Sequence, residues 1–199
     1  MRECPFCDVE RKLTHVWFTD VEEQQCDAWI DYCKDDYGKF LWYAVLAGDQ
    51  YTLGHTLVIL GSHRRRITDC SLTGSELGAL SRGLKKVACR LKDVLGAKAI
   101  HVLSLCEGEE HLHFHLIPRY SYTDEEKLFF SCKYSEREKG NPDFADDVKT
   151  GKIHGMWYAA YHEMKFKTSE FWKHSVEARV MELQELAECL RDRNLKDPF

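Results

Sequence analysis

The 199-residue sequence predicts an α+β domain: an antiparallel sheet with helices packed on one face, extended by a C-terminal helix. Three observations predict it. His111-Leu112-His113-Phe114-His115-Leu116-Ile117 alternates polar and apolar residues at period two, the pattern of a half-buried strand. Thr73-x-x-Glu76 is a capping box ahead of Leu77, Leu80, Leu84, Val87, Leu91 and Val94, which fall on one helical stripe. Short apolar runs divided by turn residues surround both segments, as expected of α+β order.

Taken in order, Leu13 to Phe18 is a short strand, and Thr19-x-x-Glu22 reads as a first capping box opening a helix to about Lys34. Lys39 to Leu46 is aromatic and aliphatic, a strand broken by Gly48-Asp49-Gln50; His55 to Leu60 is the next. The helix from Thr73 ends at Gly96, where a C-terminal glycine belongs. Lys98 to Leu105 is a strand, and the histidine strand closes at Pro118. Two regions follow from this: residues 1–120 as the main domain, and 121–199 as an appended region. Within the second, Thr123 to Thr150 is a polar excursion or lid with Gly140-Asn141-Pro142 as a turn. Trp157, Tyr158 and Tyr161 suit packing better than base stacking. From Thr168 to about Arg193 a helix carries Trp172, Val176, Val180, Leu183, Ala187 and Leu190 on one stripe, to dock on the domain or on a partner copy.

Composition narrows the function. A 44% hydrophobic fraction supplies a core, and a net charge of −5 with mixed signs argues against a nucleic-acid polymer or membrane surface as partner. Arg64-Arg65-Arg66 reads as a solvated loop. No apolar run near the N-terminus approaches the roughly 20 residues needed to span a bilayer. Nine cysteines, an odd number without a disulfide framework, point to a reduced compartment, the cytoplasm, with Cys26, Cys33, Cys70, Cys89 and Cys189 as small buried side chains.

Two constellations carry chemistry. Cys4-Pro5-Phe6-Cys7 has the spacing of half a tetrahedral zinc site, and His63 and His111 are candidates to complete it. Two thiolates and two imidazoles leave no open position, so such a zinc is structural. His113 and His115 would project from one strand face, with their rings about 7 Å apart by strand rise. One neutral imidazole can attack phosphorus to give a phosphoramidate while the other hydrogen-bonds a phosphate oxygen.

With these residues in view, the chain resembles the histidine triad family. The triad matches at every place; Gly54-His55-Thr56-Leu57-Val58-Ile59 resembles the family's Gly-His strand; His63 follows eight residues later, and Cys4-x-x-Cys7 resembles the thiolate pair of zinc-binding members. The resemblance covers residues 4 to about 120. It implies a nucleotidyl hydrolase or transferase acting on the α-phosphate of a nucleotide conjugate, such as a dinucleoside polyphosphate. It makes His113 the nucleophile, His115 the residue at the phosphate and leaving group, and His55, the upstream histidine beside the triad, the third catalytic residue. It also implies a structural Zn2+ on Cys4, Cys7, His63 and His111, and a homodimer. The chain departs from the family pattern at Ala47, where relatives carry an acidic or amide residue for the ribose, with Asp49 as a substitute; Ser104 and Gly108 remain to line the phosphate site. Two other functions are compatible with the residues: a hydrolase whose three triad histidines hold one catalytic zinc, and a nucleotide-binding protein whose catalysis has decayed.

Overall fold

A computed structural model describes residues 4–18, 20–104, 109–120 and 173–192. Its elements run α1 (Val9–Thr14), β1 (His15–Val16), β2 (Gln24–Gln25), β3 (Trp29–Lys34), β4 (Phe40–Leu46), β5 (Thr56–Leu60), α2 (Gly74–Leu95), β6 (Ala99–Leu103), β7 (His113–Arg119) and α3 (Val176–Asp192). Strands β3-β4-β5-β7-β6 form one antiparallel sheet in that order, while β1 and β2 pair separately. The predicted fold class is the observed one.

The best-defined element is α2. Thr73 accepts from the Glu76 amide at 3.2 Å, and Glu76 accepts from the Thr73 amide at 2.8 Å, so the capping box closes in both directions. Gly96 ends the helix with φ +69°, the left-handed conformation that a side chain resists. Ala79, Leu80, Val87 and Leu91 are buried against Trp42, Ala44, Leu46, Val58, Leu60, Leu112 and Leu116 of the sheet. At Gly83 a Cβ would lie 2.5 Å from the Trp42 ring, so the helix approaches this closely because the residue is glycine.

Helix α3 packs on the same face of the same chain. Leu183, Ala187 and Leu190 join the buried cluster, Arg179 pairs with Asp20 at 2.8 Å, and Arg191 donates to the Trp29 carbonyl at 2.8 Å. Residues 168–172 of the predicted helix, the 123–150 excursion, and Trp157, Tyr158 and Tyr161 lie outside the described residues. Among the described residues no helix is long and apolar enough to cross a membrane.

Three expectations are corrected. Leu13 to Phe18 is not a strand throughout: Asp8 caps the amide of Arg11 at 3.1 Å and starts α1, leaving His15 and Val16 for β1. No helix runs to Lys34. Cys26, Ala28 and Ile30 are each at most 1% exposed and recur every second residue, so period two overrides the capping-box pattern and makes β3 an edge strand on β4. Of the five cysteines expected to be buried, Cys26 is, Cys33 is partly so, and Cys70, Cys89 and Cys189 are exposed.

Candidate active site and metal centre

Residues paired across an antiparallel sheet share a face. His113 pairs with Ile59 and His115 with Leu57, so both imidazoles leave the side opposite α2. That side is closed by the N-terminal segment: Phe6 is buried with Tyr43, Val45, Ala47, Leu57 and Ile59. The Tyr43 hydroxyl donates to the Phe6 carbonyl at 2.7 Å, fixing the Cys-x-x-Cys turn to the sheet.

His111 is not part of β7. The strand starts at His113, and His111 lies in the bend before it, fully buried, with its ring turned toward the N-terminal turn. Its Nδ1 is 3.3 Å from Cys4 Sγ and 3.7 Å from Cys7 Sγ, and His63 Nδ1 is 3.2 Å from Cys7 Sγ. The four donor atoms lie within 4.8 Å of one another. Ligands on a tetrahedral zinc, at 2.0–2.3 Å from the ion, stand about 3.3–3.8 Å apart. The donor set therefore fits that ion in number, and its three Cys–His separations of 3.2, 3.3 and 3.7 Å come close to that spacing. The outer contact fits as well: His111 Nε2–H donates to the Leu60 carbonyl at 2.8 Å, which leaves Nδ1 as the lone-pair nitrogen facing the thiols. Without an ion, burial above all, then the hydrogen bond and charge of Cys4, push the Cys7 thiol up to about 11. Burial is also the main reason that the His111 imidazole falls to about 4.

The second cluster is His55, His113 and His115. Gly54, at φ +84°, makes the turn before His55. Gln50 holds that turn: its amide donates to the Ala47 and His55 carbonyls at 2.6 and 2.8 Å, and its oxygen accepts from the Gly54 amide at 2.8 Å. His55 Nδ1–H donates to the Asp49 carbonyl at 2.9 Å, so its Nε2 is the acceptor for His115 Nδ1–H at 3.0 Å. His113 Nδ1–H donates to the His111 carbonyl at 2.6 Å. These bonds settle the tautomers: the proton sits on Nδ1 of His113 and of His115, and Nε2 of each is unprotonated. Burial pushes His55 down to about 4 and His115 to about 3, and lowers His113. Neighbouring histidine charge adds to the effect at His115.

The structure thus divides the expected residues into two groups: Cys4, Cys7, His63 and His111 in one, and His55, His113 and His115 in the other. The His113 and His115 ring centroids are 5.1 Å apart, closer than strand rise alone implies, because the rings lean together. A single ion on all three triad histidines does not fit, since both ring nitrogens of His111 face other partners. Asp49 meets the site through its main-chain carbonyl. Ser104 is exposed, one residue beyond Leu103, which pairs with His115. Gly108 lies outside the described residues. Sequence reasoning missed three contributors. Gln50 clamps the turn, Phe6 packs its ring edge 4.9 Å from His113, and Tyr51 stacks on His55 at 4.8 Å. The aromatic four residues before His55 was the visible clue to Tyr51; nothing in the sequence marked the other two.

Comparison with known proteins finds one family model and several similar structures. Residues 37–122 match the family model described as the HIT domain. Among solved structures, the chain is similar to a HIT family protein from Bacillus anthracis (22% identity, 68% of this chain and 96% of that one, TM-score 0.45). It is also similar to a HIT family member from Bacillus subtilis (20% identity, 68% and 97%, TM-score 0.46). A third similar structure is a Zn-bound histidine triad family protein from Mycobacterium smegmatis (17% identity, 84% and 98%, TM-score 0.44). No curated protein matches the chain. Residues 37–122 thus match the HIT domain, the family whose histidine triad and Gly-His motifs this stretch of the chain resembles.

Proposed function

We propose that the protein is a nucleotidyl hydrolase or transferase that cleaves the α-phosphate bond of a nucleotide conjugate, a dinucleoside polyphosphate or similar compound, through a covalent nucleotidyl-His113 intermediate. One observation carries this reading: the His113 Nδ1–H bond to the His111 carbonyl at 2.6 Å leaves Nε2 unprotonated, beside a second imidazole whose Nδ1 is likewise committed. In the first step the His113 Nε2 lone pair forms a P–N bond as the P–O bond to the leaving group breaks, and the electron pair departs on that oxygen. The positive charge that develops on His113 is met by the His111 carbonyl. His115 faces the leaving oxygen as proton donor; an arriving anion favours its protonated form. In the second step His115 Nε2 takes the proton of the attacking water, the P–N bond breaks and neutral His113 returns. His55 holds the His115 ring, and Asp49, Ser104 and Gly108 are the proposed substrate-binding positions.

Cys4, Cys7, His63 and His111 would hold a structural Zn2+, which would tie the N-terminal turn to the sheet and fix the carbonyl that orients His113. We further place the protein in the cytoplasm, acting as a homodimer on a small nucleotide. The net charge of −5, the seven free cysteines among the described residues and β6, the edge strand of the sheet among the described residues, with Val102 47% exposed, support that setting.

The test is intact-protein mass after brief incubation with a panel of nucleotide conjugates, quenched at neutral to alkaline pH, with wild type and His113→Ala side by side. The expected result is a gain of one nucleoside monophosphate in wild type alone, and a loss of turnover of about 10³-fold or more in the variant. Wild-type turnover that survives in His113→Ala overturns the assignment. Tight nucleotide binding without adduct or turnover would favour the decayed binding protein instead.

A further inference from the structure

Three cationic side chains of lysine or arginine are buried among the described residues, and two are paired. Arg90 meets Asp31 at 3.1 Å and Arg179 meets Asp20 at 2.8 Å. The side chain of Lys12, on α1 and 7% exposed, makes no hydrogen bond or ion pair with the described residues. Its ammonium lies over the Trp17 ring, 3.7 Å from the centroid, and 5.1 Å from the centroid of Phe6. Aromatic faces offset part of the cost of burying a cation, but a desolvated ammonium without a counter-ion is expensive. The glutamates that reach it do so from a distance: the charges of Glu23 and Glu109 favour the ammonium, yet burial outweighs them and pulls Lys12 down to about 7.

Its position explains why such a cost is kept. Phe6, under the Lys12 ammonium, packs its ring 4.9 Å from His113, and the Lys12 charge is felt at His113. The imidazoles of His55 and His115 bring no standing positive charge to the site, because burial holds both neutral. A phosphate brings negative charge into this pocket, and more of it gathers on the non-bridging oxygens during transfer.

We propose that Lys12 is a phosphate-binding residue of the histidine pocket, its ammonium pairing with a non-bridging oxygen of the phosphate that His113 attacks. The proposal rests on the reaction assigned above. Lys12 forms and breaks no covalent bond; it gains the counter-ion that the folded chain does not supply.

The experiment compares wild type, Lys12→Met and Lys12→Arg, all with metal content checked. Adenosine and guanosine monophosphates are titrated calorimetrically, and kcat and KM are measured on the best conjugate. Met fills the same apolar slot without the charge, so Lys12→Met is expected to melt at or above wild type. It should bind the monophosphate about 10²-fold more weakly and lose kcat/KM to a similar degree, with Lys12→Arg recovering most of both. Equal monophosphate affinity in wild type and Lys12→Met overturns the proposal, as does a Lys12→Met chain that melts well below wild type, which would make Lys12 a packing residue. Failure of the reaction assignment reads differently: wild type forms no adduct, while Lys12→Met still loses monophosphate affinity.

Discussion

On the helix side of the sheet, Val58 and Leu60 of β5 and Leu116 of β7 meet Leu80, Val87 and Leu91 of α2 in an apolar cluster, with the buried cations Arg90 and Arg179 each paired to an aspartate. On the other side, one residue further along the same strands, Leu57 and Ile59 share the surface with His113 and His115. The helix side is held by shape and area, with two helices pressed on it. The histidine side is held by one short N-terminal segment and a chain of directional bonds: Leu60 carbonyl to His111, His111 carbonyl to His113, Asp49 carbonyl to His55, His55 to His115. An apolar contact tolerates a neighbour of similar size, whereas a tautomer fixed by one carbonyl does not. The two faces should therefore fail differently, the helix side by losing stability and the histidine side by losing chemistry.

The sharpest way to break the contrast is to cut the thiolate end. Cys7→Ala removes the donor 3.2 Å from His63 and 3.7 Å from His111. The purified wild type should carry one zinc per chain by elemental analysis, and the variant none. Metal binding to a site that exists only in the fold is folding free energy. Losing it should cost about 3–5 kcal/mol, a fall in Tm of roughly 10 °C for a chain this long. Turnover should fall with it, because His111 loses its anchor and its carbonyl no longer orients His113. Full activity in a metal-free Cys7→Ala chain would show that the two clusters on this face are independent.

Acid separates the faces next. His55 and His115 sit at about 4 and about 3 in the fold, against an ordinary value of 6.5. Below pH 6.5 the unfolded chain takes up protons that the folded chain refuses, so these two rings destabilise the fold progressively as pH falls from 6.5 toward 4 and then 3. Above pH 6.5 both are neutral in either state, and their contribution is flat. Denaturant midpoints at pH 7 and pH 5 should differ for wild type, and His55→Phe with His115→Phe should shrink that difference. An unchanged slope in the double variant would place the acid sensitivity elsewhere, with the metal ligands as the next candidates.

How much was legible in the sequence follows the same division. The helix side could be read ahead because its rules are periodic: Thr73, Glu76 and Gly96 bracket α2, and of its stripe Leu80, Val87 and Leu91 are buried, Leu84 and Val94 are partly so, and Leu77, in the first turn, is exposed. Half of the histidine side was legible too, since the triad and the Gly-His strand are local motifs. What was not legible came from elsewhere in the chain or depended on the main chain. Lys12 and Phe6 reach His113 across about a hundred positions, and the matched domain at 37–122 does not include them. Gln50 acts through three main-chain contacts that no residue pattern encodes. The error at 19–34 is instructive in the other direction. Capping-box residues occur there by composition, but Cys26, Ala28 and Ile30 repeat at two, and a pairing partner in β4 decides the outcome.

The smallest expected effect makes the helix side a control for all of this. Thr73→Ala removes the side-chain acceptor for the Glu76 amide. Glu76 keeps its contact with the Thr73 amide at 2.8 Å and with Arg64 at 2.8 Å, so one reciprocal bond of the box survives. An N-cap loss of this kind costs about 1 kcal/mol, a Tm decrease of roughly 2–4 °C in a chain of this size. The histidine pocket lies on the opposite face of the sheet, so kcat/KM and nucleotide adduct formation should be unchanged. One route could carry the effect across: Arg64, which Glu76 holds, offers its carbonyl to the Leu112 amide between His111 and His113. If Thr73→Ala lowers kcat/KM beyond its effect on stability, Glu76 and Arg64 transmit helix position to the nucleophile, and the two faces are coupled there.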